Sequence, residues 1–328
     1  MKLHKSLAGL WILSLLLTAC SAAAGTGAPG SQKLSVVSTV APITNIIYNI
    51  GGSRINLTGI IPEGSDSHTF EPAPSDARVL AQADIIFVNG LKLEQPTVKL
   101  AEANAKPGSQ IVQLGEGTLT PDQYMYDFSF PKENGSPNPH LWMNPLYALN
   151  YAKIVRDTLV GRDPVNADFY RQNFDAFQVR IQALDAAIQA SINTIPADSR
   201  KLLTYHDSFA YFAPRYGMTV IGAIQPADFS EPSAREVADL ILQIRKEKVP
   251  AIFGSEVFPS PVLNQIAKEA GAVYVDTLRD DSLPGSEGDA NHTYLGMMAA
   301  DAAAMAKALG GDPAAVEKVD PANLPGLK

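Results

Sequence analysis

Gly64-Ser65-Asp66-Ser67-His68-Thr69-Phe70-Glu71-Pro72-Ala73-Pro74-Ser75-Asp76 is the stretch on which the reading of the fold turns. It stands between an apolar, β-branched run, Ile55–Ile61, and the residues Val79, Leu80 and Ala83, spaced as on one face of a helix. Pro72 and Pro74 fix their own φ and push the residues before them into extended conformations, so the segment joins neither a helix nor a ladder. Ser75 and Asp76 are good N-caps and predict a helix over Ala77–Ala83. A strand, a stiff loop carrying one histidine and a helix make a β–loop–α unit. In parallel sheets built from such units, ligands collect beyond the carboxyl ends of the strands.

The same alternation extends outward. Leu34–Val40, Ile55–Ile61, Ile85–Val88 and Ile111–Leu114 read as strands, with helical runs at Ile43–Ile50, Ala77–Ala83 and Glu94–Ala103 between them. Beyond Pro196 it resumes with Leu202–Tyr205, Phe209–Tyr216, Val220–Ile224, Ile252–Phe253, Val262–Ala270 and Val273–Val275. Ser233-Ala234-Arg235-Glu236 is a capping box, and a last helix covers Thr293–Leu309, ended by Gly310. Between the halves the chain is helical from Leu146, and Phe174, Phe177, Ile181, Leu184, Ile188 and Ile192 form an apolar stripe stepping by three or four residues. From Asn166 to Thr194 that helix would be about 43 Å long at 1.5 Å per residue, enough to run past two domains and join them. The class is α/β: two lobes, each a small parallel sheet flanked by helices, joined by one long backbone helix.

The first residues have another character. Lys2 and Lys5 precede an apolar run from Leu7 to Leu17 and then Leu17-Thr18-Ala19-Cys20, the basic, apolar and small-residue order of a secretory signal that is too short to span a bilayer. Cys20 is the only cysteine, which excludes an intramolecular disulfide. Ser21 to Gln32, mostly Ala, Gly and Ser, reads as a flexible tether. A net charge of −8 without basic runs excludes nucleic acid as a partner, because phosphate binding rests on clustered Lys and Arg.

Five histidines are present, and His4 lies in the signal segment. His68 follows a strand. His140 sits between prolines in Asn138-Pro139-His140-Leu141-Trp142-Met143-Asn144-Pro145, and His206 directly follows the first strand of the second half, whose last strand is followed by Asp280 and Asp281. Three histidines and an aspartate on loops of two facing halves have the number and type for one closed four-ligand metal site. No local zinc-finger spacing is present, so the fold has to assemble them.

Four motifs, taken together and in order, carry a resemblance: His68-Thr-Phe-Glu-Pro-Ala-Pro-Ser-Asp76, Pro139-His140-Leu-Trp142-Met-Asn-Pro145, His206-Asp-Ser-Phe-Ala-Tyr-Phe212, and Asp281-Ser-Leu283 with Gly288-Asp289. Over about residues 33–309 the chain resembles the metal-binding solute receptors of bacterial ABC transporters, the zinc and manganese receptors of the cluster A-I type. That resemblance implies an ion held between two lobes by His68, His140, His206 and Asp281 and handed to a membrane permease driven by an ATPase. It also implies a monomer with no enzymatic activity. Leu-Thr-Ala-Cys20 resembles a lipobox, implying cleavage before Cys20, acylation of that residue and a lipid anchor on the extracytoplasmic side of the membrane. The layout expected is a signal peptide over 1–19, a tether over 20–32, an N-terminal metal-binding lobe over 33–145, linking helices over 146–196 and a C-terminal lobe over 197–328.

The chain departs from the family pattern at Ser67, Phe70 and Asn138, none of them a ligand. Asp280 stands beside Asp281, and His292 occupies a place where the family has no ligand. The His-rich loop of many zinc members is absent between Thr118 and Pro139, whereas His206 argues for zinc, since manganese members usually have Glu there. Zn²⁺ is the expected ion, with Mn²⁺ the alternative. The rival functions are a zinc hydrolase using Glu71 or Glu256 as base, and a surface adhesin of the same fold.

Overall fold

The computed structural model describes residues 33–257, 261–276 and 278–327. The signal peptide, the tether and Cys20 therefore lie outside the described residues. The first half runs β1 (Leu34–Ser38), α1 (Ala41–Gly51), β2 (Ile55–Gly59), α2 (Pro74–Gln82), β3 (Ile85–Val88), α3 (Gln95–Asn104) and β4 (Gln110–Gln113). Two helices follow, α4 (Pro145–Arg162) and α5 (Ala167–Asn193). The second half runs β5 (Lys201–Thr204), α6 (Phe212–Arg215), β6 (Thr219–Ala223), α7 (Ala234–Glu247), β7 (Ala251–Phe253), α8 (Pro261–Ala270), β8 (Val273–Val275) and α9 (Tyr294–Ala308).

Each half builds one four-stranded sheet, ordered β2-β1-β3-β4 in the first and β6-β5-β7-β8 in the second, and every pairing is parallel. The two sheets thus share one winding. β3 is buried along its whole length, as expected of a central strand in a sheet covered on both faces.

The 27 residues of α5 span about 40 Å. Its predicted stripe, Phe174, Phe177, Ile181, Leu184, Ile188 and Ile192, is buried. One apolar cluster runs through this stripe and takes in Ile43 of α1, Tyr151 of α4, Leu202 of β5 and Met298 of α9, so both halves share a core. Side chains as deep as Phe177 each contribute about 3–5 kcal/mol against truncation to Ala.

One expectation about local structure is corrected, and one segment goes beyond the sequence reading. The helix after the His68 loop begins at Pro74, with Ala73 in the capping position in place of Ser75 or Asp76. Proline suits the first helical residue, where no N–H partner is required, and Asp76 reaches back to accept the Ala73 N–H at 2.7 Å. The last helix is followed by a strap that the strand–helix alternation gave no sign of, a 3₁₀ turn over Pro313–Lys318 and an irregular segment to Leu327. The strap is tied to the first half: Asn45 and Asn49 donate to Asn323 Oδ1 at 3.1 and 2.7 Å, and the Ser53 N–H donates to the Leu327 carbonyl.

Candidate metal centre

The His68 loop is shaped by its own short side chains. Asp66 accepts the His68 N–H at 2.9 Å and the Thr69 hydroxyl at 2.6 Å, closing the turn locally. Gly64 has φ +78°, a conformation that a Cβ would strain. The loop also grips the other half: the Gly64 N–H donates to Ser282 Oγ at 2.9 Å and the Ser67 N–H to Asp281 Oδ2 at 3.0 Å. His140 enters from between Pro139, whose carbonyl accepts from Asn89, and a single turn over Leu141–Met143. Trp142 on that turn is fully buried and donates through Nε1 to the Asp280 carbonyl at 2.8 Å.

These loops bring the three predicted histidines to one point. His140 Nε2 is 3.2 Å from His68 Nε2 and 3.0 Å from His206 Nε2. The proton on His140 is placed by Asn138. That amide donates through Nδ2 to the Asp207 carbonyl at 2.7 Å, so its oxygen faces His140 and lies 2.8 Å from Nδ1. An amide oxygen can only accept, so Nδ1 carries the proton and Nε2 presents a lone pair. Gln225 Oε1 does the same for His206, 2.7 Å from its Nδ1. Two lone pairs 3.0 Å apart repel one another, and a cation between them converts that repulsion into coordination.

Burial sets the charge states. His140 is fully buried and His206 nearly so. Desolvation, helped by the neighbouring imidazoles, holds His68 and His140 well below the ordinary histidine value, leaving neutral rings. Asp280 and Asp281 are also buried, and desolvation pushes both well above the usual carboxylate range, reinforced by Glu256 at Asp280 and by Asp280 at Asp281. One oxygen of each, Asp280 Oδ2 and Asp281 Oδ1, has no hydrogen-bond partner. Asp280 Oδ2 lies 3.6 Å from His206 Nε2. Neutral imidazoles beside under-satisfied carboxyl groups fit a divalent cation that displaces a proton as it binds.

The wall is aromatic. Phe229 stacks on His68 at 4.6 Å between ring centres, Phe130 lies 5.5 Å from the same ring, and Trp142 lies 5.1 Å from His140. Beside His206 and Asp280 lies a cavity of about 10 Å³, about the size of one water molecule. His292 stands apart from the cluster, paired with Glu63 at 3.1 Å. The sequence reading did not assign Asn138 and Gln225 as partners of the histidine rings or Phe130 and Phe229 as their cover. Gln225 follows β6 at a strand end and was open to the same rule that found His206; Phe130 and Phe229 carry no local signal.

Residues 36–308 match the family described as ZnuA, the periplasmic component A of the zinc-uptake complex. The chain belongs to this family. As a ZnuA-family chain it is 30% identical over 304 residues to the metal ABC transporter substrate-binding lipoprotein FimA of Streptococcus parasanguinis, covering 91% of this chain and 96% of that one. It is 31% identical over 298 residues to the iron-binding protein YfeA of Yersinia pestis, covering 90% and 93%. It is 30% identical over 305 residues to the manganese ABC transporter substrate-binding lipoprotein PsaA of Streptococcus pneumoniae, covering 91% and 96%. Its structure is similar to the periplasmic zinc-binding protein TroA of Treponema pallidum, with a TM-score of 0.77 and 27% identity over 85% of this chain and 99% of TroA. This is a family of solute-binding proteins, and the hydrolase reading is set aside.

Proposed function

We propose that this protein is an extracytoplasmic receptor that binds one divalent transition-metal ion between its two halves and delivers it to an ABC permease driven by an ATPase. His68, His140 and His206 supply imidazole nitrogens and Asp281 the carboxylate, with the chain monomeric and anchored through acylated Cys20. The observation that carries this reading is the convergence of the Nε2 atoms of His68, His140 and His206, two of them with lone pairs directed inward by Asn138 and Gln225. The substrate-binding names of the relatives support the transport role, and among the described residues no helix is long and apolar enough to cross a membrane.

Zinc is the preferred ion. Three imidazoles and one carboxylate suit tetrahedral Zn²⁺, whereas Mn²⁺ favours more oxygen donors and a higher coordination number. Names among the relatives include iron and manganese as well as zinc, so the cargo in a cell follows availability as well as affinity. Metal analysis of purified protein should find one ion per chain, and Zn²⁺ should displace Mn²⁺ in direct competition. Zn²⁺ at about 100 times its dissociation constant should add roughly 2.7 kcal/mol of stability. Two ions per chain, or no stabilisation by any divalent metal, would overturn the proposal.

A further inference from the structure

Glu256, three residues beyond the end of β7, makes an arrangement outside the His cluster. Its Oε1 accepts the backbone N–H groups of Asp280, Asp281 and Ser282 at 3.1, 3.1 and 3.0 Å. Three successive N–H groups aimed at one carboxylate oxygen form a nest in which a single acceptor fixes three consecutive residues of the loop. The loop held this way is the one that grips both histidine loops of the first half. Asp281 and Ser282 receive the N–H groups of Ser67 and Gly64, and the Asp280 carbonyl receives Trp142, two residues beyond His140. A third carboxylate beside two buried aspartates is electrostatically unfavourable, so it needs an offsetting role. The nest supplies one.

We propose that Glu256 is the positioning residue of the metal centre: through the amides of residues 280–282 it holds the loop of Asp280 and Asp281 against the two histidine loops of the first half, and so sets how slowly the ion leaves. This rests on reading His68, His140 and His206 as the ion site. Position and charge are separable, because Glu256→Gln keeps an acceptor oxygen and loses the charge, whereas Glu256→Ala loses both.

With Zn²⁺ as the probe, Glu256→Ala should bind about 10- to 100-fold more weakly, the range for lost outer partners of metal ligands, with the change in the dissociation rate. Glu256→Gln should stay within a few-fold of the parent. In metal-free protein the amides of 280–282 should exchange with solvent faster in Glu256→Ala and not in Glu256→Gln. Should Glu256→Ala fail to fold, Glu256→Asp, one methylene short of the nest, takes its place. Parent-like zinc binding by Glu256→Ala, even with a lowered melting temperature, would reduce Glu256 to a structural residue and overturn the proposal. Equal losses in Glu256→Ala and Glu256→Gln would also overturn it, by assigning the effect to charge. His140→Ala is the control: unchanged zinc binding there would fail the site itself and not the role of Glu256.

Discussion

The side-chain oxygen of Gln225 lies 2.7 Å from Nδ1 of His206 and holds that ring with Nε2 turned toward His140. Removing the acceptor takes away the hydrogen bond that orients the ring. Gln225→Leu should therefore weaken Zn²⁺ binding about 10- to 100-fold, while Gln225→Glu, which keeps an acceptor oxygen, should not. Titration against a coloured chelator reads this directly, and an unchanged affinity in Gln225→Leu would deny the amide its orienting role.

Two neighbouring aspartates are the candidates for the fourth ligand in the proposed site. Asp281 is tethered by the Ser67 N–H with its other oxygen unpartnered, and Asp280 approaches His206 to 3.6 Å. Asp281→Asn should lower zinc affinity more than Asp280→Asn. The reverse order would transfer the ligand role to Asp280.

At position 206 the donor type should decide the metal. His206→Glu replaces a borderline nitrogen with a harder oxygen and should cut zinc affinity while leaving manganese binding less affected. Parallel titrations with both ions measure the ratio. A variant that lost neither ion would show that His206 does not ligate.

Away from the ion, Glu94 gives the metal-free protein a pH dependence of definite sign. It is almost fully buried, and burial pushes its carboxyl up from 4.5 to about 7 although the Asn89 and Gly90 N–H groups and the Thr39 hydroxyl donate to it. A folded-state value raised above the unfolded one means that the folded chain holds the proton longer. The stabilisation from this group is complete below about 4.5 and is lost as pH rises through about 7. His68 and His140, with lowered values, act in the opposite direction as pH falls below their unfolded value of about 6.5. The difference between parent and Glu94→Gln isolates the carboxyl: the parent's stability relative to the variant should decline from pH 4.5 to 7 and level off about a unit above. A flat difference across that range in urea denaturation would refute it.

Periodicity made most of the architecture legible. The α5 stripe has a helical period that leaves little choice, and β-branched runs such as Ile85-Ile86-Phe87-Val88 announce buried strands. Helix starts were less legible near Pro74, because a proline reads equally as the end of a loop and the first residue of a helix. The order of strands within each sheet is set by crossovers that leave no mark on local pattern. At the site, the histidines stood out because the residue type is scarce, with His68 and His206 on loops that follow strands and His140 between prolines. Asn138, Gln225 and Glu256 belong to common polar types; Asn138 stands two residues from the ring it orients, whereas the partners of Gln225 and Glu256 lie 19 and 24 to 26 residues away.

The C-terminal strap bears on when the fold can close. Asn45 and Asn49 on α1 find Asn323 at separations of 278 and 274 residues, and the Ser53 amide finds the Leu327 carbonyl at the far end of the described chain. These contacts form only after nearly every residue has been delivered, and pairings so distant in sequence are slow to form. The strap therefore acts as a late clasp: the sheet of the first half is built from neighbouring segments, and the hydrogen bonds that tie α1 to residues 323–327 are added when the last described residues are in place.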